Sequence, residues 1–208
     1  MTRRTRTVPM CTLALAAVLS LAACNRADRG GENRASSAER EQGPAANPAT
    51  ASQMKLSASD REFLEEAIMG GMTEVELGKL AQERGSSQAV KDLGQKLVSD
   101  HSTANERIRQ IASDHGVTLP NDLDSKHQAV VGRFSKLSGA AFDREFKKDA
   151  IDDHKADIKK FEKESTSGDN PQVKQFATDT LSKLKDHLDQ AEAIKVGPRS
   201  GEAARESR

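Results

Sequence analysis

AVKDLGQKLVSDHSTANERIRQIASDH, residues 89–115, decides the fold. Val90, Leu93, Leu97, His101, Ala104, Ile108 and Ile111 follow one another in steps of three and four, the spacing that stacks side chains on one face of an α-helix. The intervening positions are Lys, Asp, Gln, Ser, Glu and Arg, as a solvated outer face requires. A histidine therefore sits in the apolar seam, directly behind an aspartate. The pair recurs as Asp114-His115, Asp153-His154 and Asp186-His187.

Working outward, the same spacing marks three more long helices. Leu64, Ala67, Gly71, Glu74, Gly78 and Ala81 form the first seam. Phe142, Phe146, Ala150, His154, Ile158 and Phe161 form the third, and Val173, Ala177, Thr180, Leu184, His187, Ala191 and Ile194 the fourth. The punctuation agrees. Ser59 with Glu62 reads as a capping box opening a helix to about Arg84, with Gly85 closing it. Ser86 or Ser87 caps a helix to His115, and a shorter one covers 122–137. Ser138 caps a helix from 139 to about 166 that Gly168 ends, and Asn170-Pro171 starts the last, to about 195. Two tight hairpins and a long crossover make an all-α four-helix bundle over 57–195, with a short extra helix in the crossover. "AVKDLGQKLVSDH" and "QVKQFATDTLSKLKDH" begin the second helix of each hairpin, which points to a duplicated hairpin.

The chain of 208 residues carries 32 basic and 32 acidic side chains, so no net charge draws it to nucleic acid. All six aromatic residues are Phe, which argues against base-stacking platforms. At the N-terminus Arg3, Arg4 and Arg6 precede an apolar run from Val8 to Ala23, the layout of a signal peptide over 1–23. Leu21-Ala22-Ala23-Cys24 resembles a bacterial lipobox, implying that Cys24 is lipidated and becomes the first mature residue. Asn25, in place of the Asp that marks inner-membrane retention, favours the outer membrane, facing the periplasm. Residues 25–56 are rich in Gly, Pro, Ser and charge and read as a tether spanning about 30 Å. Residues 196–208 read as a disordered tail. With Cys11 removed and Cys24 acylated, no thiol remains for a disulfide, a thiolate metal site or a nucleophile.

"FLEEAIMGGMTEVELGKLA", "VSDHSTAN", "HGVTLP", "SGAAFDREFKKDAIDDHK" and "LKDHLDQA" together resemble a bacterial family of ferritin-like bundles, the domain of unknown function numbered four-one-four-two, often described as an outer membrane protein. The resemblance spans nearly all of 60–194. It implies a ferritin-like fold in the cell envelope and no characterised activity. Phe146 stands where such relatives often carry Tyr, which removes a redox-active phenol.

His101 and His154 each lie 15 residues into their helices, about 22 Å from the start, and His187 lies within about one turn of that level. Neutral imidazoles from three helices, with Glu66, Glu74 or Asp157 supplying charge, suit a transition metal ion such as zinc, copper, iron or nickel. The Glu plus Glu-x-x-His pattern of di-iron bundles is absent. The competing reading keeps the three as core histidines bonded to Thr180, Asn105, Asp157 or water. The preceding aspartates, turned about 100° away, belong beside the seam, solvated or paired with Lys. Gly70-Gly71 serves close packing or makes room for a ligand opposite His101. No phosphate loop or nucleophile constellation marks an enzyme. The expectation is a lipid-anchored binding or stress-associated structural module with no assigned protein partner, and the rival is a metal-binding or metal-dependent redox protein built on the histidines.

Overall fold

The computed structural model of the protein describes residues 55–197. The expected signal peptide, Cys24, the tether up to residue 54 and the tail beyond residue 197 lie outside them. Five helices follow in order: α1 (Ala58–Arg84), α2 (Gln88–Asp114), α3 (Ser125–Phe134), α4 (Gly139–Ser167) and α5 (Pro171–Ala193). Among the described residues there is no strand, and no helix is long and apolar enough to cross a membrane.

The first helix begins two residues earlier than Ser59 allows. Its capping box is Ser57 with Asp60: the Asp60 N–H donates to the Ser57 hydroxyl at 3.1 Å, and the Ser57 N–H donates back to the Asp60 carboxylate at 3.4 Å. Leu56, immediately before the cap, is buried with Phe63 and Leu64, and this fixes the register that Ser59 would lose. Ser87 caps α2 and Asn170 caps α5, with Pro171 in its first turn. The crossover helix is shorter than 122–137, because Asp124 caps it from His127 N–H. Ser138 precedes α4 without capping it through its side chain.

α1 packs against α2 and α4 against α5, and the two hairpins meet through α1–α4 and α2–α5 contacts, with α3 laid on α1. Two aspartates set their relative direction. Asp143, in the second turn of α4, accepts from the Ser86 and Ser87 N–H groups, both at 2.9 Å, and from the Ser86 hydroxyl at 2.6 Å. Asp60, in the first turn of α1, accepts from the Asp169 and Asn170 N–H groups, both at 3.1 Å. Each hairpin's loop is thus held by the opening of the other hairpin. α1 runs antiparallel to α4, and the crossover must traverse the length of the bundle, as in ferritin-like topology.

Within the first hairpin, Gly78 and Gly94 let the backbones touch. A Cβ on Gly78 would stand 2.6 Å from the Gly94 carbonyl oxygen, and one on Gly94 2.7 Å from that of Gly78. The core divides in two. One half gathers Phe63, Leu64, Ile68, Ile108, Ile111, Phe161, Val173 and Phe176. The other gathers Leu77, Leu93, Leu97, Phe134, Phe142, Phe146, Ala150 and Ala191. On every long helix the residues between the halves are polar and buried: Thr73 and Glu74 on α1, His101 and Asn105 on α2, His154 on α4 and His187 on α5.

Both aspartate latches are buried, so removing one strands two loop N–H donors. Asp143→Ala is expected to lower the unfolding free energy by about 3 kcal/mol in urea melts, with Asp60→Ala close behind. A loss below about 1 kcal/mol at both positions would contradict the latch.

Candidate metal centre

The seam carries His101, His154 and His187 to the polar waist, and all three are buried, at 7, 2 and 1% exposure. Their ring centroids lie 5.2 Å (154–187), 5.4 Å (101–187) and 5.9 Å (101–154) apart. One nitrogen from each ring comes within 4.8 Å of the others.

The outer contacts of two rings settle where their protons sit. His154 Nδ1 is 2.9 Å from the Ala150 carbonyl oxygen, which only accepts, so His154 Nδ1 carries hydrogen. His187 Nε2 is 2.8 Å from Asp100 Oδ2. Partial burial alone would raise the Asp100 carboxyl, but the bonds from His187 and from Lys96 at 3.1 Å hold it below its ordinary value, so it too only accepts. His187 Nε2 therefore carries hydrogen. A neutral imidazole has one such hydrogen, and both are spent outward. His154 Nε2 and His187 Nδ1 face each other at 3.2 Å with bare lone pairs.

A further proton does not fill that gap at neutral pH. Burial, with the neighbouring His187, pushes His154 down to about 4. Burial also lowers His187, against the pull of Asp100. His101 is pushed down to about 3 by burial and by the other two rings, and its Nε2 is enclosed without a hydrogen-bond partner. Three neutral imidazoles with unspent lone pairs suit a borderline transition metal. Two nitrogens bound at 2.0–2.1 Å to one tetrahedral ion stand about 3.3 Å apart, close to the 3.2 Å between His154 Nε2 and His187 Nδ1, while a His101 nitrogen lies within 4.8 Å of the other two rings'. The residues present fit such an ion. A cleft of about 310 Å³ between α2 and α5 leads to the centre from the surface, lined by Asp100, His101, Arg107, Phe176, Lys183 and His187.

The three carboxylates expected beside the histidines do not join them. Glu66 points to solvent and pairs with Lys160 at 2.9 Å; it lies one position off the α1 seam, on the outer face. Glu74 is buried, but its carboxyl faces Asp153, and neither it nor Asp157 belongs to the histidine group. Asp157 turns toward α1, 4.0 Å from where a Gly70 Cβ would stand. Of the protein partners expected of core histidines, Thr180 instead donates to the Phe176 carbonyl at 2.7 Å, and Asn105 Oδ1 has no partner. Asn105 packs straight onto Gly71, where any Cβ would overlap its amide, so close packing accounts for that glycine. The residue that sequence reasoning passed over is Asp100. Turned about 100° from its own histidine, it lies at the α2–α5 seam, within reach of His187 on the next helix. Asp186 pairs with Lys96 at 3.0 Å, as a solvated aspartate should.

The depressed histidines make metal-free protein acid-labile. Above pH 6.5 the folded and unfolded rings are both neutral. As pH falls below 6.5 the unfolded chain takes up protons that the folded triad refuses until about 4 to 3, so stability falls. Relative to His101→Gln, wild-type protein treated with chelator is expected to lose on the order of 3 kcal/mol between pH 7 and pH 4. A difference that does not move with pH contradicts the burial of a neutral ring.

A comparison with curated proteins gives no match. Among solved structures, the bundle resembles the crystal structure of a DUF305 fragment from Deinococcus radiodurans, with a TM-score of 0.59 at 14% identity, covering 67% of this chain and 96% of that one. At that identity the likeness speaks for the fold. The model of the domain of unknown function DUF4142 matches residues 45–194, helices and histidines included, and the chain belongs to that family.

Proposed function

We propose that the protein is a metal-binding module of the bacterial envelope, which holds one transition metal ion on His101, His154 and His187 and is tethered to a membrane by lipid on Cys24. The single observation that carries the metal reading is the 3.2 Å approach of His154 Nε2 and His187 Nδ1 in a buried waist, with the opposite nitrogen of each ring already on an acceptor. With both outer hydrogens committed, no other side chain among the described residues donates to the inner nitrogens, whereas one divalent ion would satisfy both. Asp100 and the Ala150 carbonyl then act as positioning groups, holding the rings by their outer N–H groups so that the inner nitrogens stay free to bind. The absence of thiolate from the described residues favours imidazole-type metals over sites that need sulfur. The cleft beside His101 and His187 supports an approach for the ion or for a small ligand completing its coordination. This reading displaces a purely structural module, because a packed core needs no convergent imidazoles.

The anchor rests on the order of basic residues, apolar run and Leu21-Ala22-Ala23-Cys24. Lipidation would place the bundle within a tether's length of the membrane, outer rather than inner on the strength of Asn25.

Titration of purified, chelator-stripped protein with Zn²⁺ is expected to show one equivalent bound and a raised melting temperature, both lost in His154→Ala/His187→Ala. Asp100→Asn should fold normally and bind zinc about 10- to 100-fold more weakly. Because burial keeps the rings unprotonated, zinc should remain bound at pH 5.5, where exposed histidines release it. Wild-type protein that takes up no zinc or copper, or a double variant that binds as well, would sink the metal reading. For the anchor, labelled palmitate fed to expressing cells is expected to enter the wild-type chain and not Cys24→Ala; equal labelling of the two contradicts it.

A further inference from the structure

Asp149, Asp153 and Asp157 stand at intervals of four on α4 and form one stripe along the groove with α1. Facing them from α1 is Glu74, only 2% exposed, with Oε2 enclosed and without a partner and its carboxyl beside that of Asp153. Cations close the two ends of this stripe. Arg133 holds Asp149 at 3.0 Å, and Lys160 holds Glu66 at 2.9 Å beside Asp157. Between those ends, among the described residues, no lysine or arginine pairs with Glu74, Asp153 or Asp157. Gly70 leaves the α1 wall bare there, since a Cβ would meet only Asp157, at 4.0 Å.

An enclosed carboxylate with no cationic side chain is neutralised by a proton or by an ion. Burial, followed by Asp153, drives Glu74 upward. Burial and the same neighbour push Asp157 up to about 7 and Asp149 up to about 6. Asp149 keeps Arg133, while Glu74 and Asp157 have no cation paired with them among the described residues. The oxygens do not close into a cage of three, as the histidine nitrogens do. Two carboxylates with retained water suit a small hard cation that dehydrates reluctantly, of the Mg²⁺ or Mn²⁺ kind, and do not suit the borderline metals that imidazoles select.

We infer that Glu74 and Asp153, flanked by Asp149 and Asp157, form a second cation site in the α1–α4 groove, specific for a hard divalent ion and separate from the histidine centre. The site stands whether or not the histidines bind metal. It also gives the buried acid of the α1 seam a role that packing does not.

The experiment is Mn²⁺ titration of the purified chain, read from the electron paramagnetic resonance of free Mn²⁺. It is done with the protein alone, with one equivalent of Zn²⁺ already added, and with the variants. One Mn²⁺ is expected to bind in all three of wild type, zinc-loaded wild type and His154→Ala/His187→Ala. Glu74→Gln, which keeps shape and removes charge, should weaken binding by about tenfold or more, and so should Asp153→Asn, an exposed substitution that leaves the core untouched. Circular dichroism of each variant establishes that the helices persist. The inference is overturned by wild-type protein that binds no Mn²⁺, by binding unchanged in both acid variants, or by binding that disappears with the histidines and survives Glu74→Gln. A failed zinc titration beside a successful manganese one removes the histidine reading and leaves this site standing.

Discussion

His154 Nε2 and His187 Nδ1 oppose each other across 3.2 Å because their hydrogens are committed elsewhere, one to the Ala150 carbonyl and the other to Asp100. That opposition organises the whole middle of the bundle. A helical core of this size gains most from continuous apolar packing, yet here every long helix breaks its apolar seam at the same height with a buried polar side chain. Unsatisfied polar groups cost more in a dry interior than anywhere else. On the proposed reading, a cation drawing the inner nitrogens together would offset that cost. The expected acid sensitivity and the proposed metal site both rest on this one arrangement.

The frame around the waist is built to hold it still. Asp60 and Asp143 tie each hairpin loop to the other hairpin, at opposite ends of the bundle, so neither hairpin slides along its neighbour without breaking buried hydrogen bonds. Gly78 against Gly94 draws α1 and α2 together on the apolar side of the waist. Rings mounted on long helices and fixed from behind are better placed for a metal than rings on loops. The two halves of the molecule contribute unequally. The first hairpin supplies His101 and Asp100, while the second supplies His154 and His187.

Periodicity carried the helices, their number and the meeting of three histidines at one depth, because spacing in threes and fours is a direct record of which side chains share a face. It was weaker wherever the answer lay between helices. Ser59 and Glu62 satisfy the local pattern for a capping box as well as Ser57 and Asp60 do; burial of Leu56 and the loop bonds of Asp60 decide between them, and both are tertiary facts. Glu66 has the right height and the wrong face, a difference of one residue that a helical wheel exposes only once the packing direction is known. Asp100 looked like a solvated neighbour of His101 and is the partner of His187, since the 100° turn that removes it from its own ring delivers it to the adjacent helix. Glu74 was legible as a buried acid and illegible in its company, because its neighbours lie on α4, across the groove.

The placement of two hydrogens is the most direct test. Long-range proton–nitrogen correlation spectra of metal-free protein at pH 7, labelled with ¹⁵N in histidine, report the tautomer of each ring. His154 is expected as the Nδ1–H form and His187 as the Nε2–H form, with the two inner nitrogens showing the shifts of bare acceptors and moving when Zn²⁺ is added. A doubly protonated ring at either position, or a His187 that carries its hydrogen on Nδ1, would mean that the two nitrogens share an ordinary hydrogen bond, and the waist would then have no call for a metal.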